Sequence, residues 1–209
     1  VVGTGTDIGK TWVSARLLTG LRSAGVTVAA RKPAQSFDPG DDPAGFDSAI
    51  LGAASGEPSE TVCRPNRWYE VAMAPPMAAD LLGRGPITLA DLVAELAWPE
   101  IETEVGLVET AGGVRSPQTH DGDAVALADA LQPDLIVLVA DAGLGTINAV
   151  RLSFSALPAD STVVVILNRF DPESELHRRN RDWLTGPDGL TVIELPGQDE
   201  ALLDLARGR

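Results

Sequence analysis

The stretch VVGTGTDIGKT, residues 1–11, restricts the fold of this chain more than any other segment. Val1 and Val2 are β-branched and suit the end of a strand. Gly3, Gly5 and Gly9 allow tight bends and close approach to a ligand. From Lys10 onward Trp12, Val13, Leu17, Leu18 and Leu21 recur at helical spacing, and Gly25 is a natural stop. A strand, a glycine loop and a helix in that order leave the first-turn N–H groups free to face an anion, with the helix dipole behind them. Lys10 adds a mobile positive charge, and the Thr11 hydroxyl can ligate magnesium. This is the phosphate-cradling pattern G-x-x-x-x-G-K-[ST]. It is loosened at its first glycine, where Thr4 stands between Gly3 and Gly5. A glycine turn before an ordinary helix is the competing reading, and the order of the parts favours phosphate.

The rest of the chain alternates strands and helices. Val26–Lys32, Val105–Thr110, Asp134–Asp141, Thr162–Asn168 and Leu190–Leu195 read as strands. Helices are expected from about Asp47, over Leu89–Trp98, Asp123–Leu131, Gly145–Leu157, Glu173–Leu184 and Asp199–Ala206. Nearly all-apolar strands between helices predict an α/β fold, a parallel sheet covered by helices on both faces. A length of 209 residues fits one domain over 1–209. The least regular segments, 35–45 and 58–86, are rich in Pro, Asp and Gly. Long loops beyond strand ends are where such folds bind ligands.

Net charge is −14, which argues against nucleic acid or an anionic membrane as a broad partner. An anionic ligand must then meet a local cluster of cations. The single cysteine, Cys63, excludes an internal disulfide and a multi-cysteine metal site, and reads as a buried or incidental thiol. No apolar run approaches a membrane span and no signal peptide is visible, so the cytoplasm is the simplest expectation. No Met stands first and the opening strand looks clipped, so further residues are expected upstream. Among 16 basic residues only Lys10 and Lys32 are lysine. Arginine supplies the ordinary surface charge, which draws attention to the two places that keep a compact ammonium.

Polar residues at strand ends complete the candidate site. Lys32 closes a strand in RKPAQSFD, and Pro33 keeps the chain extended, aiming Lys32 and Ser36 at the sheet edge. Glu109 ends an apolar strand ahead of two glycines and suits a magnesium ligand or a water holder. Asp47 fits a helix N-cap and a metal ligand equally well. Asn168 reads either as a nucleobase contact or as a turn residue. The segment 143–148, GLGTIN, opens a helix and offers a second anion site. His120 and His177 lack ligand spacing, and Arg178–Arg181 reads as a solvated helix face.

GTGTDIGKT, KPAQS, ETAGG, GLGTIN and a strand-final LN come in an order that resembles the ATP-dependent dethiobiotin synthetases, and MAPPMAA resembles a substrate-loop segment of that family. The resemblance implies a P-loop NTPase-like fold. It also implies ATP- and magnesium-dependent closure of the dethiobiotin ureido ring, from 7,8-diaminopelargonic acid and carbon dioxide by way of a carbamate. Gly5, Asp7, Ile8, Gly9, Lys10, Thr11 and Asn168 would bind ATP, with other nucleoside triphosphates left open. Thr6, Lys10, Lys32 and Ser36 would be catalytic, and Thr11, Asp47 and Glu109 would hold magnesium. Lys32 and Ser36 would also bind the substrate. Gly145, Thr146, Ile147 and Asn148 would do so across the interface of a homodimer. The sequence departs from the family at Phe37 and Thr110, where glycine is usual, and at Arg115, where apolar residues are common. Two alternatives remain: a related ligase with another substrate, and a partitioning-type switch ATPase. The latter usually carries an additional early lysine, where this loop has Gly3 and Thr4.

Overall fold

The computed structural model describes residues 1–99 and 102–208. In chain order its elements are β1 (Val2–Gly3), α1 (Lys10–Ser23), β2 (Val28–Arg31), β3 (Gln35–Ser36), α2 (Asp47–Ser55), α3 (Ser59–Val62), β4 (Trp68–Tyr69), α4 (Pro75–Leu81) and α5 (Leu89–Glu95). There follow β5 (Val105–Val108), α6 (Ala124–Leu131), β6 (Ile136–Asp141), α7 (Thr146–Ala156), β7 (Val163–Asn168), α8 (Glu175–Thr185), β8 (Val192–Glu194) and α9 (Asp199–Ala206).

The paired strands run parallel, in the order β1-β6-β7-β8, with β2 on β5 and β3 on β4. Val1 joins the first two groups. Its nitrogen donates to the Val108 carbonyl at 2.6 Å, and its carbonyl accepts from Thr110 N–H at 3.1 Å. The order across the main sheet is therefore β2-β5-β1-β6-β7-β8. From β1 the chain winds first toward one edge and later toward the other. Such a switch opens a crevice at the C-terminal strand ends, and the loop of residues 4–9 lies there.

Strand periodicity explains why β6 and β7 are continuously apolar. Val137, Val139, Val164 and Ile166 pack with Leu17 and Leu18 of α1, Leu51 of α2 and Leu202 of α9. Ile136, Leu138, Ala140, Val165 and Leu167 pack with Ala128 of α6, Val150 of α7 and Leu184 of α8. Successive side chains point to opposite faces, so a strand covered on both faces needs apolar residues throughout.

Several boundaries and faces differ from expectation. Trp12 is 43% exposed and lies under the Arg16 guanidinium at 5.1 Å instead of joining the buried stripe of Val13, Leu17, Leu18 and Leu21. The helix after Thr88 begins on a capping box with Asp91 but ends at Glu95. Trp98 lies beyond it, 5.2 Å from Arg31, with its ring over Gly106, where a Cβ would come within 2.7 Å. Segment 58–86 is more ordered than its composition suggests. It holds α3, α4 and β4, and Tyr69, Ala78 and Ala79 form a small core with Ala34, Ile87 and Leu92. These elements are too short to show a period, and Pro75 opens α4 at a position that tolerates proline. The Arg178–Arg181 stretch is not wholly solvated. Asn180 is buried and donates to the carbonyls of Ala142 and Gly143 at 2.9 Å each. Cys63 is buried, and burial pushes its thiol up to about 12. Among the described residues no helix is long and apolar enough to cross a membrane.

Leu138 is fully buried on the central strand β6. Leu138→Ala should lower stability by about 2–5 kcal/mol through lost burial and the cavity left behind. Urea unfolding checks this, and a loss well under about 1 kcal/mol would contradict a core closed on both faces.

Candidate active site

The loop of residues 4–9 is held at both ends and pinned in its middle. Thr4 N–H donates to the Val139 carbonyl at 2.9 Å, tying the loop to β6. Gly9 sits at φ 90°, and a Cβ there would collide with the Asn168 amide, so only glycine serves. Asn168, at the end of β7, donates through Nδ2 to the Ile8 carbonyl at 2.9 Å. Arg169 donates to the Asp7 carbonyl at 2.6 Å and to Asp141 at 2.8 Å. Asp7 and Arg169 both adopt φ 57°, a left-handed conformation uncommon outside glycine. Lys10, at the start of α1, turns its ammonium back to the Gly5 carbonyl at 2.9 Å. Burial lowers the Lys10 pKa, and the nearby charge of Lys32 lowers it further.

Below the loop four elements bring charged and hydroxyl groups to one point. Glu109, just past β5, is fully buried. One of its oxygens accepts from Thr11 Oγ1 at 2.8 Å and from Lys32 Nζ at 2.9 Å, and the other accepts from Ser14 Oγ at 2.6 Å. Asp47, the first residue of α2, lies 2.8 Å from the same Thr11 Oγ1, sharing its single proton with Glu109, and pairs with Lys32 at 2.7 Å. The capping reading of Asp47 is set aside, because Phe46 is the N-cap and the Asp47 side chain turns to Thr11 and Lys32. Burial alone would lower the Lys32 pKa, but Glu109 and Asp47 outweigh it and raise it. Burial likewise favours neutral Asp47, and the Lys32 ammonium overcomes this and holds its carboxyl below the usual range.

Thr6, Asp7, Gly9, Lys10, Thr11, Lys32, Ser36 and Asp47 line one cleft of about 640 Å³. Glu109 lies beneath it. Met73, Ala74 and Pro75 line it as well. Gly145, Thr146, Ile147 and Asn148 are at the start of α7 and are not part of this wall. Beside them Leu144 is 91% exposed. None of the three departures lines the cleft. Phe37 stacks on Phe46 at 4.1 Å, tying the end of β3 to the start of α2. The Thr110 carbonyl lies 3.4 Å from Lys32 Nζ, and Arg115 pairs with Asp123 at 2.9 Å.

Three residues with a place here were not singled out in the sequence. Ser14 is the one legible in retrospect, a small polar residue inside the buried stripe of α1, one turn after Thr11. Arg169 follows the strand end that had drawn attention to Asn168. Gln35 lines the cleft, and its Oε1 accepts from Ser48 N–H at 3.0 Å, while its buried Nε2 has no partner among the described residues. Leaving a buried donor unpaired costs about 1–3 kcal/mol.

Thr11, Asp47 and Glu109 converge as oxygen donors. Among the described residues no group of three or more His, Cys, Asp or Glu gathers as a dedicated metal cage. Two carboxylates and a hydroxyl are the kind of sparse, oxygen-only set that magnesium takes when phosphates and water supply the remaining ligands.

A family described as an AAA domain matches residues 1–196. An ATP-dependent dethiobiotin synthetase from Haloferax mediterranei is 36% identical over 198 residues, covering 94% of this chain and 82% of the relative. One from Caulobacter sp. (strain K31) is 42% identical over 162 residues, covering 76% and 69%. Another, from Anaeromyxobacter sp. (strain Fw109-5), is 34% identical over 171 residues, covering 81% and 75%.

The charge pairing has a pH signature. The lowered Asp47 pKa contributes stability above the ordinary aspartate value and loses it as pH falls through the folded value. The raised Lys32 pKa contributes fully below the ordinary lysine value and is lost only as pH rises through the folded one. The stability gap between the native protein and Asp47→Asn should therefore hold steady at neutral pH and shrink below about pH 4. Urea midpoints across pH test this, and a gap that persists unchanged into acid would contradict the pairing.

Proposed function

The chain belongs to the dethiobiotin synthetase family, and we propose on that basis that it closes the ureido ring of dethiobiotin from 7,8-diaminopelargonic acid, carbon dioxide and ATP. The observation that carries the reading is the meeting of Lys10 and Lys32, both buried, with Thr11 and Asp47 in one cleft at the glycine-lysine-threonine loop, with Glu109 bonded to Thr11 and Lys32 directly beneath it.

The reaction joins anions, and the cleft is built to tolerate that. One amine of the substrate attacks carbon dioxide, forming an N–C bond and releasing a proton. A carbamate oxygen then attacks the γ-phosphorus, and ADP leaves. The second amine attacks the carbonyl carbon, forming the second N–C bond and giving up a proton, while the C–O bond to phosphate breaks and phosphate departs. No side-chain nucleophile is needed, so positioning and charge stabilisation are the protein's work. The loop N–H groups, Thr6 and Lys10 would hold the phosphates. Lys32 and Ser36 would face the carbamate and the phosphoryl group in transfer. Thr11, Asp47 and Glu109 would hold magnesium, which neutralises charge on the phosphate oxygens when bound. Asn168, by pinning Ile8, supports the loop, and a contact to the base remains part of the proposal.

The same reading includes a homodimer working in the cytoplasm. The start of α7 would take the carboxylate of a substrate bound in the neighbouring subunit, its free N–H groups suiting an anion. A fully active monomer in sedimentation at assay concentration would contradict this arrangement.

Incubation with diaminopelargonate, bicarbonate and MgATP, followed by mass detection of dethiobiotin, tests the reaction itself. Lys10→Ala should abolish turnover and weaken triphosphate binding. Lys32→Arg keeps the charge but swaps a compact ammonium for a wider fork. Its turnover should fall by roughly a hundredfold or more, with much less change in ATP affinity. Near-normal turnover in Lys32→Arg and in Lys32→Ala would remove Lys32 from the chemistry.

A further inference from the structure

We propose that Gln35 is a further substrate-binding residue, its Nε2 donating a hydrogen bond to an oxygen of the substrate carbamate. This rests on the reading that the cleft carboxylates a diamine. Gln35 is 3% exposed and lines the cleft three residues after Lys32. Its amide orientation is fixed, because Oε1 accepts from Ser48 N–H at 3.0 Å and an amide nitrogen could not accept that bond. The Nε2 group is thereby left as a donor, buried and without a partner among the described residues. Buried polar groups in folded proteins are paired almost without exception. An unpaired donor on a residue that lines a ligand cleft marks a place where the ligand supplies the acceptor.

The surroundings define that acceptor. Lys32 and Ser36 line the same cleft, and the Ser36 hydroxyl oxygen is likewise buried without a partner among the described residues. Donors and an ammonium lining one cleft suit an anionic oxygen. The phosphate side of the cleft is made by residues 6–11, whereas Gln35 belongs to β3, on the wall that continues from Lys32. The amines of the substrate enter chiefly as donors and nucleophiles. The carbamate is the group that brings new acceptor oxygens to that wall.

The bond to Ser48 gives Gln35 a structural part as well. Phe46 offers α2 no side-chain cap, and Gln35 supplies an acceptor to the first turn from outside, next to Asp47. Two variants separate the roles. Gln35→Glu keeps an oxygen for Ser48 N–H but places an acceptor where Nε2 was. Gln35→Met has similar length and keeps neither function.

Diaminopelargonate is titrated calorimetrically into each protein at mildly alkaline pH, with and without bicarbonate. MgATP affinity and melting temperature are measured in parallel. The native protein should bind the diamine more tightly when bicarbonate is present. Both variants should lose that gain, by about ten- to a hundredfold, as expected for one hydrogen bond to a charged acceptor. Gln35→Met, which adds no charge, should keep MgATP affinity, whereas both variants should lose melting temperature, Gln35→Met by removing the acceptor for Ser48 N–H and Gln35→Glu by burying a carboxylate. Full retention of the bicarbonate-dependent gain in either folded variant would overturn the proposal. An equal loss of MgATP affinity in Gln35→Met would also overturn it, moving the acceptor to a phosphate oxygen. A native protein that forms no dethiobiotin in the same buffer would overturn the functional reading itself, and the role of Gln35 with it.

Discussion

A fully buried carboxylate, Glu109, sets the terms for everything around it. A charge taken out of water is costly, and its partners repay that cost only if they arrive in the right geometry. Here they come from separate parts of the chain: Thr11 and Ser14 from α1, and Lys32 from beyond β2. Asp47, on α2, joins through Lys32 and Thr11. The cluster therefore fixes how the first helix, two strand ends and the start of α2 stand relative to one another. Replacing Lys32 would leave Glu109 buried without its cation, which is the more damaging event.

The second constraint comes from the other half of the sheet. The end of β7 reaches across to the phosphate loop, with Asn168 on the Ile8 carbonyl and Arg169 on that of Asp7. Residues more than 150 positions away thus fix the loop. The left-handed backbone at Asp7 and Arg169 is the kind of local strain that survives where surrounding bonds over-determine it. The overall charge of −14 sharpens the point. Against that background Lys10 and Lys32, the two lysines of the chain, both line the cleft.

Much of this was legible before any coordinates. The glycine-lysine-threonine loop, the two solitary lysines and the strand-final Glu109 and Asn168 all fall at the cleft or directly against it. Long apolar strands were equally clear, because burial on both faces erases alternation and leaves a continuous signal. What stayed hidden had physical reasons. Short elements such as β3, β4 and α4 carry too few residues to show a period. Asp47 was ambiguous because a carboxylate at a helix start satisfies both a cap and a metal, and only the third dimension shows that it turns to Lys32. Trp12 was placed in the core by spacing, although it lies one step off the stripe and rests under Arg16. Gln35 gave no signal at all, since an amide on a two-residue strand looks like any other polar residue until its hydrogen bonds are traced.

The most direct measurement is a double-mutant cycle between Lys32 and Glu109, reading magnesium- and ATP-dependent turnover in Lys32→Ala, Glu109→Gln and the pair. If the two side chains act as one unit, each single change should cost nearly as much as both together, because either one breaks the arrangement in which Lys32 bridges Glu109 and Asp47. Losses that simply add would mean that the two residues work independently, and the cluster would no longer explain the site.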